Sequence, residues 1–147
     1  MLNYFDNALR GRKEYYRALE PVCRRWDLTR NELDIILFLA NNPTLNRASD
    51  IVTRRGIAKS HVSQSVSQLE SRGILEARQD PNDRRITRLS LTAGTAELAA
   101  QAQTAQRAFF RQILKGLTQE DVMLWHNLME KVWSNLETME NSSARNN

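Results

Sequence analysis

One cysteine, Cys23, stands in 147 residues. No intramolecular disulfide framework is open to such a chain, and a lone thiol fits a reducing compartment. Only five glycines and three prolines are present, so few positions break long segments and a mostly helical protein is predicted. No apolar run approaches the roughly 20 residues of a membrane span, so no membrane partner is expected. The N-terminus carries Tyr4, Phe5 and Asp6 in place of the apolar stretch of a secretory signal. A cytoplasmic protein is the expectation. The two histidines, His61 and His126, are too few and too far apart to suggest a metal cage. Gly-rich phosphate loops, paired-His metal motifs and Ser-x-x-Lys or Gly-x-Ser-x-Gly nucleophiles are all missing. Neither an enzyme nor a cofactor or metal is expected.

Charge is present, and its placement is informative. The chain carries a net +4. Residues 47–90 hold nine basic side chains, eight of them arginine, against five acidic ones, an excess of four that equals the charge of the whole chain. The flanking segments are close to neutral. A localised excess of this kind attracts polyanions, and arginine suits hydrogen bonding to phosphates and base edges. A solvated basic face without a partner is the plain alternative.

Apolar periodicity predicts a helix over Asn3–Trp26, with Pro21 kinking or interrupting it. Thr29 and Glu32 form a capping box for the next helix, whose buried face is Leu33, Ile36, Leu37 and Ala40 and which Asn41-Asn-Pro43 stops. A short helix over Arg47–Arg54 and a turn at Gly56 lead to a polar helix over about Lys59–Arg72, with Val62, Val66 and Leu69 as its seam. Gly73 closes it. Two helices about a short Gly-containing turn make a helix-turn-helix. A hairpin follows, with its turn at Asp80-Pro-Asn-Asp83 and two-residue alternation through Thr87, Leu89 and Leu91. Thr92 is read as the cap of a long helix to about Lys115, roughly 36 Å in length. Thr118 caps the last helix, where Val122, Trp125, Met129, Val132 and Leu136 step as a heptad seam. Asn141–Asn147 is polar and predicted to be a disordered tail.

The polar helix carries the chemistry. With its seam inward, Ser60, His61, Gln64, Ser67 and Gln68 face outward, with Ser63 at the margin. Serine is a middling helix former, so a face chosen for stability alone would carry Glu, Lys or Ala. Short donor–acceptor side chains let a helix approach base edges closely, and glutamine can pair with adenine through two bonds. Ala58 offers no side-chain cap, which leaves the first N–H groups open to a phosphate. Lys59 and Arg72 are read as phosphate holders, and Asn82, Asp83, Arg84 and Arg85 as the arms of the hairpin.

Asp80-Pro-Asn-Asp-Arg-Arg85, with Leu89-Ser-Leu-Thr92 and Gly94 behind it, resembles the MarR family of winged helix-turn-helix transcriptional regulators. Leu28-Thr29 with Leu33, Ile36 and Leu37 is similar to that family's second helix, and Val62, Val66, Leu69, Glu70 and Gly73 to its recognition helix. The resemblance implies a mostly helical winged fold and a homodimer on double-stranded DNA in the bacterial or archaeal nucleoid. It implies recognition helices in successive major grooves, a wing arginine in the minor groove, and a wing ion pair, here Asp83 with Arg85. Ala77 and Ala58 depart from the family pattern, at a common backbone contact and at a usual Ser-like cap.

The expected layout is a dimerisation helix over 1–28, a winged lobe over 29–92, linking and dimerisation helices over 93–140, and the tail. Phe5, Leu9, Val122, Trp125, Met129, Val132 and Leu136 are the expected dimer face. Trp26, Trp125 and Trp133 are read as core or dimer anchors, with a pocket for a small aromatic or phenolic effector as the alternative. Cys23 has two readings, a redox sensor and a buried filler on the apolar stripe. The functional expectation is a ligand-responsive repressor on a pseudo-palindromic operator. An oxidant sensor of the same fold, and a winged-helix protein-interaction module without DNA readout, stand as its rivals.

Overall fold

The computed structural model describes residues 3–145, apart from the side chains of Tyr4, Phe5 and 140–145. Its elements run α1 (Tyr4–Trp26), α2 (Arg30–Asn41), α3 (Ala48–Arg55), α4 (Lys59–Ser71), β1 (Leu75–Gln79), β2 (Thr87–Leu91), a 3-10 turn (Ala93–Thr95), α5 (Ala96–Ile113) and α6 (Gln119–Arg145). The chain divides into two compact units, one reaching to Phe109 and one beginning at Phe110.

In the first unit α2 is the hub. Thr29 Oγ1 accepts the Glu32 N–H at 3.2 Å and the Glu32 carboxylate accepts the Thr29 N–H at 2.7 Å, so the expected capping box is formed. From Leu33 to Leu39 every residue of α2 is buried. A helix buried all round must be covered on every side. Leu19 and Val22 of α1, Ile51 of α3, Val62 and Leu69 of α4, Leu75 and Leu89 of the hairpin and Leu98 and Ala102 of α5 share one core with it. The second half of α1 therefore belongs to the winged lobe, not to a separate segment ending at residue 28.

α1 passes through Pro21 as one continuous helix, so of the kink and the interruption expected there the interruption does not occur. Pro21 is exposed, so water can reach the carbonyl that its missing N–H leaves unpaired. The helix ends in a Schellman turn at Asp27 (φ 50°), where the Leu28 N–H donates to the Cys23 carbonyl at 2.9 Å. α4 closes in the same way at Gly73 (φ 67°), with the Ile74 N–H on the Leu69 carbonyl at 2.9 Å.

The hairpin is antiparallel, registered from Leu75 opposite Leu91 to Gln79 opposite Thr87. Thr92 does not cap a long helix. Its hydroxyl donates to the Gly73 carbonyl at 2.7 Å, and Thr95 Oγ1 donates to the Ile74 carbonyl at 2.6 Å. Both threonines tie the exit of β2 to the turn after α4, so a 3-10 turn intervenes. α5 then has 18 residues, about 27 Å where 36 Å was expected.

In the second unit the Thr118 box forms as predicted, with the Thr118 N–H on Asp121 Oδ2 at 2.8 Å and the Asp121 N–H on Thr118 Oγ1 at 3.1 Å. α6 continues to Arg145, past the tail boundary expected at Asn141; Asn146 and Asn147 lie outside the described residues. Among the described residues no helix is long and apolar enough to cross a membrane.

Candidate nucleic-acid interface

The turn between α3 and α4 is made by Gly56 at φ 62°, its N–H on the Val52 carbonyl at 3.1 Å, and is anchored by the buried Ile57. Burial of Val62, Ser65, Val66 and Leu69 then fixes which face of α4 turns outward. Ser60, His61, Ser63, Gln64, Ser67 and Gln68 are all exposed on it. Among the described residues no hydrogen bond engages any of those six side chains, so their donors and acceptors are available to a partner. Ala58 supplies no side-chain cap. The first intrahelical donor is the Val62 N–H, which leaves those of Lys59, Ser60 and His61 open to an anionic oxygen.

The wing is pinned differently from the expectation. Asp83 Oδ1 accepts the backbone N–H of Arg85 at 2.9 Å, so this carboxylate shapes the turn and does not pair with the Arg85 guanidinium. Asp80 does the pinning. Its Oδ1 accepts the N–H groups of Asn82 at 2.8 Å and Asp83 at 3.2 Å, while Oδ2 accepts Arg88 Nε–H. Arg88 Nη1 in turn donates to Asn46 Oδ1 at 2.9 Å. The Arg88 bond, followed by the Asn82 N–H, holds the Asp80 carboxyl below the usual carboxylate range. Sequence reasoning took Asp80 only as a turn residue and Arg88 only as charge. An Asp at the head of a Pro-Asn turn was a readable signal for side-chain-to-backbone bonds. The pairing with Arg88 was not readable, because it depends on how the strands align.

Asn82, Asp83, Arg84 and Arg85 are exposed at the tip. Arg85 lines a cleft of about 570 Å³ with Lys59, Ser63 and Ser67 of α4 and Ser49 and Thr53 of α3. Helix and wing thus share one concave surface. Glu70, which lines the same cleft, joins helix to wing by accepting the Ala77 N–H at 3.2 Å, a bond the sequence did not suggest. Lys59 is exposed where a phosphate holder should be. Arg72 is not free for that part, because Nη1 and Nη2 donate to the carbonyls of Asp27 at 2.7 Å and Trp26 at 2.6 Å. A guanidinium next to two carbonyls at a helix end is drawn to their partial negative charge.

A second cleft, about 350 Å³, lies on α1 and the start of α2, lined by Leu9, Arg12, Lys13, Tyr16, Arg30 and Asn31. Arg12 and Arg30 stand over the Tyr16 ring at 5.7 and 5.3 Å from its centroid. The Tyr16 hydroxyl donates to Asp34 at 2.5 Å, and burial raises the pKa of both groups. No tryptophan lines this cleft. Trp26 donates its indole N–H to Gln101 at 3.0 Å, and Trp125 and Trp133 are exposed on α6.

Cys23 is buried in the core, and burial, with Glu20 next, pushes its thiol above the ordinary value. Arg24 and Arg25 point elsewhere: Arg24 pairs with Glu20 and Arg25 with Glu97. The filler reading fits this environment and the redox reading does not. Of the expected dimer face, Leu9, Trp125, Val132 and Leu136 are exposed, Val122 and Met129 are half-buried, and the Phe5 side chain lies outside the described residues.

A family model described as the MarR family matches residues 26–86. The chain is 26% identical over 140 residues to the HTH-type transcriptional repressor IacR of Pseudomonas putida, covering 92% of this chain and 80% of that protein. It is 26% identical over 123 residues to the homoprotocatechuate degradative operon repressor of Escherichia coli, covering 84% and 82%. Among solved structures, NadR in complex with 4-hydroxyphenylacetate superposes with a TM-score of 0.77 at 21% identity, over 90% of this chain and 93% of that one. The winged helix-turn-helix fold is shared.

Proposed function

We propose that this chain is a MarR-family repressor that binds a pseudo-palindromic operator as a homodimer and responds to a small aromatic acid. The observation that carries the reading is the outward face of α4, six polar side chains without partners beside a wing whose Arg84 and Arg85 are free to extend. Ser60, His61, Gln64, Ser67 and Gln68 read base edges in the major groove, with Ser63 at the margin. Lys59 and the open N–H groups of α4 hold phosphate, and Arg85 enters the narrow minor groove, where negative potential is concentrated. None of these roles needs catalysis, a metal or a cofactor.

Pairing is supported by α6. Trp125, Leu128, Val132, Trp133 and Leu136 are each more than two-fifths exposed in the single chain, which is a large apolar surface to leave in water. Two lobes joined in this way read half-sites about one helical turn apart.

The effector is supported by the basic cleft on α1 and α2. Arg12, Lys13 and Arg30 around the Tyr16 ring suit a carboxylate borne on an aromatic ring. The homoprotocatechuate operon repressor and the 4-hydroxyphenylacetate complex of NadR point to the same class of compound. A ligand of this kind releases DNA only to the extent that it binds the non-operator conformation more tightly.

Selection of bound sequences from random duplex DNA tests the central claim. Two inverted half-sites about 10 base pairs apart are expected. Recovery of unselected sequence, with binding that depends on salt alone, would overturn it. Release of the selected duplex by 4-hydroxyphenylacetate, lost in Arg12→Ala or Arg30→Ala, tests the effector.

A further inference from the structure

The end of α4 is fastened to the end of α1 by one side chain. Arg72 follows the last helical residue of α4, and two of its N–H groups donate to the carbonyls of Trp26 and Asp27, at 2.6 and 2.7 Å. Trp26 is the last residue of a 23-residue helix. The closing bonds of that helix come from the Asp27 and Leu28 N–H groups and use the carbonyls of Arg24 and Cys23. Its final carbonyl is therefore left to an outside donor, at the end where the helix dipole is negative. Both carbonyls accept from one planar guanidinium, a two-point bond that fixes direction as well as distance. On the α4 side, the Arg72 backbone is held by the Gln68 carbonyl at 3.2 Å, and the Schellman turn at Gly73 follows directly.

We infer that Arg72 is a positioning residue for the base-facing side chains of α4, setting the rotation and depth of that helix against α1. The inference rests on the DNA-reading role proposed above. Gln64 and Gln68 lie eight and four residues before Arg72, on the same helix. A turn of the helix by a few degrees moves their amides out of register with base edges, whereas phosphate contacts tolerate it. Arg72 can serve a phosphate only by uncovering two carbonyls. Lysine keeps the charge but cannot make the planar two-point bond.

The test measures wild type, Arg72→Gln and Arg72→Lys on the selected operator and on random duplex across a range of salt. Both variants should lose operator-over-random preference by roughly tenfold, with random-DNA affinity and salt slope like wild type. A phosphate contact predicts the reverse: Arg72→Gln weakens both duplexes alike, its log–log slope falls by about 0.9, and Arg72→Lys behaves as wild type. That result overturns the inference. Should Arg72→Gln not fold, Arg72→Lys carries the comparison. Hydrogen exchange in the free protein supplies a reading independent of DNA. Amides of 24–28 and of 72–74 should exchange faster in both variants, and unchanged exchange in both segments overturns the fastening whatever the DNA result. A wild type with no preferred sequence overturns the DNA-reading role and the positioning assignment with it, while faster exchange at both segments would still establish the fastening.

Discussion

Asp80 and Arg88 meet beneath the wing: the carboxylate that shapes the turn also takes the Arg88 Nε–H, and the same guanidinium reaches Asn46 at 2.9 Å. Support and contact are thereby divided between different arginines. Arg88 holds the hairpin, and Arg84 and Arg85 are left for a partner. Arg85→Ala should weaken operator binding by roughly 1–3 kcal/mol with the fold unchanged. Asp80→Ala should also weaken it, but with faster amide exchange over 80–86. If Arg85→Ala folds and binds as wild type does, the minor-groove role given to Arg85 is wrong.

Acid should act on the wing and the core in opposite senses. Asp80 has a depressed pKa in the folded chain, so its contribution to stability is present above the ordinary value of 3.8 and is lost as pH falls through the folded value. Asp34 is raised by burial, against the Tyr16 bond and the nearby Arg55 and Arg12, which lower it. Its contribution is greatest below 3.8 and declines as pH rises through the folded value. Asp34→Asn should flatten that decline in melting temperature measured against pH. An unaltered profile would mean that this carboxyl titrates as an exposed one.

Gln64→Ala and Gln68→Ala should change which sequences are chosen more than how tightly DNA is held. The selected base opposite each glutamine should relax, at a cost of about 1–3 kcal/mol on the original site. Uniform weakening on every duplex would recast both side chains as backbone contacts.

Cys23 should be silent toward oxidant. Its thiol is buried and its ionisation is disfavoured, so thiol reagents should react slowly with the native protein and peroxide should leave operator binding intact. Cys23→Ser should cost on the order of 1–3 kcal/mol of stability by burying a hydroxyl in an apolar site. Peroxide-driven DNA release that vanishes in this variant would restore the sensor reading.

Association is open to direct measurement. Light scattering at micromolar concentration should give twice the 17.0 kDa chain mass. Trp125→Glu, placed on the exposed seam of α6, should shift the mass toward a single chain and weaken operator binding by about 100-fold, since paired half-sites are then bound singly. A wild-type mass of 17.0 kDa would defeat the paired arrangement.

Local chemistry made much of this legible from the residues. The Thr29 and Thr118 boxes, the turn at Gly56 and the seam of α4 depend on spacings of three or four residues, and all are where the pattern puts them. What escaped depends on distant partners. Arg72 reaches back 46 residues to Trp26, and Arg88 reaches 42 to Asn46. An arginine counted as charge has the same appearance in sequence whether it extends to a phosphate or folds back onto a carbonyl. Thr92 misled for a related reason. Its position suits a cap, but its hydroxyl donates to the Gly73 carbonyl and makes no capping bond to a helix N–H. A pocket for the proposed effector was expected at tryptophans, whereas an arginine pair about Tyr16 needs two helices side by side to exist.

Asn46 has a consequence for how such a molecule can be switched. It bonds Arg88 through its side chain, and its carbonyl takes the Leu89 N–H at 2.7 Å, just ahead of α3. The segment preceding the helix-turn-helix is thus stitched along the hairpin as a third strand would be. For a wing sewn to its neighbour in this way to swing as a separate arm, both of these bonds would have to break. In the paired repressor proposed above, control through the wing alone is therefore disfavoured, and a silencing signal is expected to carry the whole reading head away from its groove, as the jaws of a caliper move without changing shape.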